Sequence, residues 1–428
     1  MKSLFRARIL TFKRAPDSLE DTSSYLYFSD GFLLVEDGKI KSLGPFENRP
    51  TDILNLEYID YRPGLVLPGF IDLHNHFPQM QVIASYGTKL MDWLERYTFP
   101  EEAKFSDPTY AKSLGKSFIE TLIDHGTTTS VSFCSVHSTS VDAIFEEAEK
   151  VNMCLVAGKV MMDRNAPESV LDSALSGYDE SKMLIQKWHK KKRLRYAISP
   201  RFAITSTPDQ LTAAGTLCSE HADCYMQTHL SENLDEIATA MSLFPNRKNY
   251  LDIYHFHGLL GPKSLLGHSI HLDSHERSLL AETNAIAVHC PTSNLFLGSG
   301  LFDMADFKKR GIRIGMATDT GGGTSHSMLN TLSQAYNIQQ LRNFNFDPLQ
   351  SFFSATLGNA EALGLENEIG TLEIGTLADF IVLNSSASKL SALRMRSCQS
   401  LLEELFILQT LGDDRFIQAV YIAGVKVK

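Results

Sequence analysis

Residues 68–76, PGFIDLHNH, decide the fold, because in them a short apolar run ends in two histidines. Three later runs, MQTHL, LLGHSI and RIGMATD, each end at or next to one side chain that can bind a metal. Every run has the length and the branched-chain content of a buried strand. The carboxyl ends of strands in a closed parallel barrel meet at one rim, so we expect these side chains to converge there. They are His74, His76, His229, His268 and Asp319.

Apolar runs of this kind alternate with helix-length amphipathic segments along most of the chain. We count eight: LVLPGFIDLH, TTTSVSF, CLVAGKVM, RYAISPRF, YMQTHL, SLLGHSI, AIAVHCP and RIGMATD. Strands that alternate with helices form parallel sheets covered by those helices. The sequence therefore predicts an α/β fold, a (β/α)₈ TIM-type barrel.

The two ends of the chain have a different pattern from the middle. Residues 1–65 alternate apolar and polar positions in short runs, with turn signals at Asp37-Gly38 and Pro63-Gly64. Residues 376–428 return to this pattern in FIVLN and FIQAVYIAGVKVK. We predict a small antiparallel domain, a β-sandwich built from residues 1–65 and 376–428, beside a barrel formed by residues 66–375.

Composition narrows the classes of function. The 428 residues are 43% hydrophobic and 21% charged, with a net charge of −10, which is ordinary for a protein with a sizeable core and disfavours a nucleic-acid partner. No run of about 18 uncharged apolar residues is present, so we expect no membrane span and a cytosolic protein. The six cysteines form no C-x-x-C pair, so a metal would depend on imidazole and carboxylate groups.

His74 and His76 are two positions apart on one strand, so their side chains point to the same face. Alone, such a pair is more often structural, and Asp319 alone would be a turn residue before three glycines. Together, the imidazoles and the carboxylate suit Zn²⁺ or Fe²⁺ and leave a position for water. We therefore predict a metal-dependent hydrolase.

Four further residues are candidates for work on a substrate. Glu232 lies three residues after His229, where its carboxylate would serve as general acid and base, although a carboxylate there also suits a helix N-terminus. Sites of this kind that bind two metals usually have a bridging lysine at the end of the fourth barrel strand. Here the fourth predicted strand ends in SPRF instead, which favours a single metal. Arg201 and Phe202 would face a flat ring, or equally be a surface arginine and a core phenylalanine, and Gln79 offers both a donor and an acceptor.

The motifs PGFIDLHNHFPQ, YTFP, AGKVMMDRNAP, SPRFAITS, THLSEN, CPTSNLFLGSGLF and LADFIVLN together resemble the guanine deaminases of the amidohydrolase superfamily. The histidines and the aspartate mark only the superfamily, whereas FPQ, VMMDRN, SPRF and HLSEN narrow the resemblance to guanine deaminases. The resemblance extends over nearly the whole chain. Leu73 stands where such proteins commonly have threonine before the first ligand.

The resemblance implies hydrolytic deamination of guanine to xanthine and ammonia at one zinc per chain, in a cytosolic homodimer of purine catabolism and salvage. It implies that His268 lies beside the water. Charge logic then assigns three catalytic roles: Asp319 and the zinc generate hydroxide, Glu232 moves the proton to a purine ring nitrogen while C2 is attacked, and His268 stabilises the oxyanion. The implied metal ligands are His74, His76, His229 and Asp319, with His268 as a further candidate. The implied substrate contacts are His76, Gln79, Arg201, Phe202, His229, Glu232 and Asp319.

Two alternatives remain at this point. A related amidohydrolase acting on another amino-heterocycle, such as a pterin or a triazine, would keep the metal ligands and change the pocket. A non-catalytic binding or assembly scaffold on the same barrel would be expected to have lost ligands, whereas every ligand position is filled here. The ligand set also accepts Fe²⁺ as well as Zn²⁺.

Overall fold

The computed structural model of the chain describes residues 2–53, 56–86 and 90–428. The strands are β1 (Lys2–Phe12), β2 (Tyr25–Glu36), β3 (Lys39–Pro45), β4 (Tyr58–Pro68), β5 (Phe70–His76), β6 (Thr127–Phe133), β7 (Cys154–Gly158), β8 (Val160–Met161), β9 (Leu194–Pro200), β10 (Tyr225–Leu230), β11 (Ser264–His268), β12 (Ile286–His289), β13 (Arg313–Met316), β14 (Phe380–Leu383), β15 (Ile417–Ile422) and β16 (Val425–Lys426).

The α-helices are α1 (Leu90–Trp93), α2 (Phe99–Glu102), α3 (Pro108–Asp124), α4 (Ser138–Lys150), α5 (Ala174–Trp188), α6 (Pro208–Glu220), α7 (Leu234–Leu243), α8 (Tyr250–Phe256), α9 (Ser274–Thr283), α10 (Pro291–Phe296), α11 (Met304–Lys309), α12 (Met328–Leu341), α13 (Pro348–Ser354), α14 (Leu357–Leu363), α15 (Lys389–Met395) and α16 (Leu401–Leu411). A 3₁₀ segment, Phe77–Val82, follows β5 directly. Within the described residues no helix is both long enough and apolar enough to cross a membrane.

Eight parallel strands form the barrel in the order β5, β6, β7, β9, β10, β11, β12 and β13, with β8 pairing beside β9. The residues after β13 bring it back to β5: Asp319 N donates to His74 O at 2.8 Å, and His76 N donates to Thr320 O at 3.1 Å. All seven residues of β5 are buried, as expected for a parallel strand covered on both faces. The predicted barrel and its eight strands are confirmed.

The interior of the barrel is filled by side chains from alternate positions of these strands. Its apolar cluster includes Ile71, Leu73, Val131, Val156, Leu265 and Ile286. A larger cluster lies between the strands and the surrounding helices. The interior is therefore a packed core, and the ends of the strands are left to carry polar groups.

The second sheet combines both ends of the chain in the order β16, β15, β14, β4, β1, β2, β3. The β2–β3 hairpin returns to the C-terminal half, where Ile40 N donates to Thr376 O at 2.9 Å, so the sheet folds over an apolar core that includes Phe5 and Phe380. This confirms that both ends of the chain build a separate sheet. The expectation of a purely antiparallel sheet is wrong in one pair, since β1 and β4 run parallel.

The predicted boundary at residue 65 falls inside β4, which continues to Pro68 and pairs there with β14. The predicted C-terminal part also contains two helices between its strands, α15 and α16, and α16 packs on α12 and α13 of the helical layer. The division at residues 65 and 375 stays a prediction.

Candidate active site

Five predicted side chains lie together at one rim of the barrel. His74 and His76 end β5, His229 lies near the end of β10, and His268 ends β11. Asp319 follows β13 by three residues. His268 and Asp319 have φ angles of 67° and 49°. This left-handed backbone costs on the order of 1–3 kcal/mol for a residue with a side chain, and such strain is typical of functional sites.

A bulge in β5 turns its two histidines toward this group. Asp72 pairs with Ser130 and Asn75 with Ser132, so β5 has one residue more than β6 between these pairs. Because of this extra residue, β5 places Leu73 in the interior core and still brings His74 and His76 to the rim. Gly267 makes room for His74, since a Cβ at Gly267 would lie 2.6 Å from His74 Cε1.

The nitrogen and oxygen atoms of the group are spaced as ligands of one cation are. His76 Nε2 lies 3.2 Å from Asp319 Oδ1 and 3.2 Å from His229 Nε2. His74 Nε2 lies 3.4 Å from Asp319 Oδ1. Ligands about 2.0–2.1 Å from a tetrahedral zinc are about 3.3–3.4 Å apart. The four groups therefore fit a single metal ion.

Unsatisfied nitrogen atoms support the same fit. Both ring nitrogens of the fully buried His74 lack a hydrogen-bond partner among the described residues, which is costly for a buried polar group. His229 Nδ1 lies 2.7 Å from Arg201 O and must donate to it, so Nε2 carries the free lone pair that faces the group. A bound cation would satisfy these nitrogens.

The protonation states suit metal binding. Burial lowers the pKa of His76 to about 4, and burial together with the neighbouring imidazoles lowers the pKa of His229 well below its usual range. Both rings are thus neutral, the form that binds metals. Burial alone would raise the pKa of Asp319, but the imidazoles of His74 and His76 outweigh it and hold that pKa well below its usual range.

The thiol of Cys290 lies close to the group but is a poor ligand. Its Sγ is in a set with atoms of His74, His268 and Asp319 that lie within 4.8 Å of one another. Burial raises the pKa of Cys290 well above its usual range, and Sγ lies 3.6 Å from Val288 O, to which it donates. A metal ligand must be the thiolate, so the geometry agrees with the predicted imidazole and carboxylate set.

Glu232 and His268 form the second part of the site. Glu232 Oε2 lies 3.6 Å from His268 Nε2, and Glu232 Oε1 accepts a hydrogen bond from Ser299 Oγ at 2.7 Å. His268 Nδ1 donates to Asn294 Oδ1 at 3.0 Å. Burial would lower the pKa of His268, but the carboxylates of Glu232 and Asp319 outweigh it and raise that pKa. Sequence reasoning did not select Ser299 or Asn294.

The start of α7 fixes the backbone of Glu232. Asn233 is the N-cap residue and forms a capping box with Glu236. Glu236 Oε2 accepts hydrogen bonds from the backbone N–H of Asn233 at 3.1 Å and of Glu232 at 2.7 Å. The capping function therefore belongs to Asn233 and Glu236, which leaves the side chain of Glu232 free for the site.

The predicted substrate residues line one cavity at the same rim as the five-residue group. Gln79 comes from the 3₁₀ segment after β5, and Arg201 and Phe202 follow β9. All three side chains are buried. Trp93, Leu94 and Leu297 also line the cavity and were not predicted. The structure brings every predicted site residue together, while their individual roles stay predictions.

A sequence profile of the amidohydrolase family matches residues 65–427. The chain belongs to the amidohydrolase family. It is 44% identical to the guanine deaminase of Escherichia coli strain K12 over 421 residues, 98% of this chain and 96% of that protein. A solved structure of E. coli guanine deaminase matches with a TM-score of 0.96 at 42% identity, covering 100% of this chain and 99% of that one. A guanine deaminase from C. acetobutylicum, solved with guanine bound in the active site, matches with a TM-score of 0.91 at 30% identity, covering 100% of both chains.

Proposed function

We propose that this protein is a guanine deaminase, which hydrolyses guanine to xanthine and ammonia. The observation that carries the proposal is the convergence of the five-residue group, Glu232 and the cavity lined by the predicted substrate residues at one rim of the barrel. Relatives named guanine deaminase that match along nearly the whole chain support the same reaction. The pterin and triazine alternatives lack comparable support.

We infer that His74, His76, His229 and Asp319 hold one Zn²⁺ ion, with His268 close enough to join them or to contact the water. A zinc ion bound there supplies a Lewis acid that makes water nucleophilic near neutral pH. The four residues would hold the ion next to the cavity, because His76, His229 and Asp319 also line it. Iron is the other metal that this ligand set accepts.

Glu232 is the proposed general acid and base. Its Oε2 faces His268 while Oε1 is held by Ser299, so the carboxylate has one fixed oxygen and one that can exchange a proton. It accepts a proton from water and delivers it to a purine ring nitrogen, then takes the proton of the new hydroxyl group on C2 and delivers it to the amino group, which leaves as ammonia. Asn294 holds His268 with its Nε2 toward Glu232 and Asp319, where the ring would stabilise negative charge on the attacked carbon's oxygen.

The cavity walls hold the base in place for this attack. Phe202 offers an aromatic surface to the flat ring, while Gln79 and Arg201 offer polar groups to its edge. The ring is thereby held with C2 toward the water and Glu232. Because the base is already oriented when it is bound, the reaction loses less entropy on the way to its transition state than the uncatalysed reaction does.

The first experiment measures ammonia release and the absorbance change from guanine to xanthine with purified, zinc-loaded protein. We expect turnover that disappears after chelation and returns when zinc is added. Elemental analysis of the protein as purified identifies its natural metal. Metal-loaded protein that binds guanine without releasing ammonia contradicts the proposal.

We further infer a cytosolic homodimer, which the family resemblance supports. Sedimentation equilibrium tests the dimer directly, since the mass of one chain is 47.7 kDa. A species of that mass at all concentrations contradicts the inference.

A further inference from the structure

Glu102, a buried carboxylate at the end of α2, connects the two polar residues that face the substrate's edge. Its Oε1 accepts a hydrogen bond from Gln79 Nε2 at 3.0 Å. Arg201 Nη1 donates to both of its oxygens, at 3.0 and 2.8 Å. Glu102 is 1% exposed and does not line the cavity, whereas Gln79 and Arg201 do. Any effect of Glu102 on a ligand is therefore exerted through its two partners.

The first consequence is a fixed orientation of the Gln79 amide. A carboxylate paired with a guanidinium only accepts hydrogen bonds, so Gln79 must direct its NH₂ group to Glu102. Its carbonyl oxygen Oε1 is then the amide atom that Glu102 does not engage, beside Gly321 on a side chain that lines the cavity. A glutamine without such a partner offers either atom, since the two orientations have similar shapes.

The second consequence concerns Arg201, whose guanidinium has donors only. Glu102 engages Nη1, which leaves the other N–H groups for a ligand. The ion pair also compensates the positive charge of a side chain that is 3% exposed, so the pocket presents a donor without a net charge. Gln79 and Arg201 together therefore offer one acceptor and one donor to a neutral ligand.

We propose that Glu102 is a positioning residue that makes this site specific for a lactam edge, an N–H group beside a carbonyl. The inference rests on the proposed function, because guanine presents this pattern at N1–H and O6. The reversed pattern, a ring nitrogen acceptor beside an amino group as in adenine, would place acceptor against Gln79 Oε1 and donor against Arg201. Mismatched buried groups of this kind are the strongest basis for rejecting an analogue.

Glu102→Gln tests this orientation with little change in shape. The new amide has a single acceptor oxygen, and when Arg201 donates to it, its NH₂ group faces Gln79. Gln79 then turns its own oxygen toward position 102 and its Nε2 into the cavity. The matched control is the double variant Gln79→Glu/Glu102→Gln, in which the carboxylate at position 79 accepts from the new amide and again offers an oxygen to the ligand. The double variant also keeps one carboxylate among the three side chains, so their summed charge equals that of the wild-type protein.

The readout is the dissociation constant of two purines measured by titration calorimetry with the zinc-loaded protein. Hypoxanthine has the lactam edge, whereas the unsubstituted compound purine lacks it. Neither carries the amino group at C2 that the reaction removes. We expect the wild-type protein to prefer hypoxanthine by on the order of 100-fold, Glu102→Gln to reduce this preference at least about tenfold, and the double variant to restore most of it.

Several results would overturn the inference. One is an unchanged preference in Glu102→Gln, and another is an equal loss in the single and double variants, as a general structural role of Glu102 would produce. Glu102→Asp keeps an acceptor-only group and must keep the preference, even if both purines bind more weakly. Because the readout is binding, failure of the proposed function shows separately, as wild-type protein that binds hypoxanthine but does not deaminate guanine.

Discussion

Glu232 is 2% exposed and is held by Ser299 on one oxygen, so a glutamine at this position keeps its volume and its hydrogen bond but cannot exchange a proton. We expect Glu232→Gln to lower kcat by about 10²–10⁴-fold, the usual contribution of general acid–base catalysis. The metal content should not change, because Glu232 is outside the proposed ligand set. Steady-state kinetics and elemental analysis of the same sample measure both quantities. Glu282→Gln, an exposed change on α9, is the control, and a variant at position 232 that retains a tenth of the wild-type rate contradicts the assignment.

Gly267 controls the position of His74 by its lack of a side chain. A Cβ there would lie 2.6 Å from His74 Cε1, and the ring is packed against Phe133 with centroids 5.1 Å apart, so it cannot move freely. We expect Gly267→Ala to weaken metal binding and to lower the free energy of unfolding by about 1–3 kcal/mol, as overpacking does. Competition with a zinc-binding dye and urea denaturation measure the two effects. Gly261→Ala, where nothing lies within 4 Å, should change neither, and equal behaviour of the two variants contradicts the steric argument.

Individual residues differ in how well the sequence predicts them, and the difference has a physical cause. His74, His76, His229, His268 and Asp319 were predictable because each is covalently attached to the end of a strand whose apolar pattern is visible. Glu102 and Ser299 were not, because their roles depend on contacts with residues 99 and 67 positions away. No periodicity connects such positions, and only the folded chain brings them together.

Among the elements, β5 shows where pattern analysis stops. The two-residue period correctly placed His74 and His76 on a common face, yet Ile71 and Leu73, one position out of phase, also belong to the interior core. The bulge between Asp72 and Asn75 reconciles these facts. A bulge is defined by the partner strand, so the sequence of β5 alone does not reveal it.

The capping box of α7 predicts a pH effect on stability. Burial, and then the nearby carboxylate of Glu232, raises the pKa of Glu236 from 4.5 to about 7. Between these values the folded protein keeps a proton that the unfolded chain has released, so the free energy of unfolding falls as pH rises through this window and levels off above it. Glu236→Gln keeps an acceptor oxygen for the cap and removes the titration.

We therefore expect the stability of Glu236→Gln relative to wild type to increase between about pH 4.5 and 7, by an amount on the order of 3 kcal/mol. Urea denaturation of the metal-free proteins across this range measures the difference, since a bound cation would add its own charge. Glu276→Gln is a useful comparison, because Glu276 forms the same capping box on α9 and burial raises its pKa as well, so this variant should show a pH-dependent difference of the same sign. A difference independent of pH contradicts the prediction for Glu236.

At the scale of the whole molecule, the sequence predicted the barrel, the number of its strands and the contribution of both termini to a second sheet. It did not predict that β1 and β4 run parallel or that β4 continues to Pro68. Apolar alternation indicates that a segment is a strand, but the partner and direction of that strand depend on the rest of the sheet. The barrel was easier to predict, because successive strands of a (β/α)₈ barrel are neighbours and the order of the chain therefore already gives each strand its partners.

The barrel and the terminal sheet are joined by a buried ion pair at the end of the barrel opposite the candidate site. Arg193, just before β9, forms a bidentate pair with Asp379, just before β14, with 3.1 Å from Nη1 to Oδ1. Asp379 also accepts from Ala423 N at 2.8 Å and is 2% exposed. Removal of one partner would leave a buried guanidinium without compensation, which is far more costly than loss of a surface pair.

We expect Asp379→Ala to lower the free energy of unfolding by about 3–5 kcal/mol and to leave kcat of the folded enzyme within about twofold of wild type, because the site lies at the other end of the strands. Urea denaturation followed by the fluorescence of the two tryptophans, together with kinetics in the absence of urea, separates the two effects. Glu146→Ala breaks the surface pair with Lys112, whose atoms are 3.8 Å apart, and should change stability little. A fall in kcat in proportion to the lost stability would show instead that the terminal sheet supports the geometry of the rim.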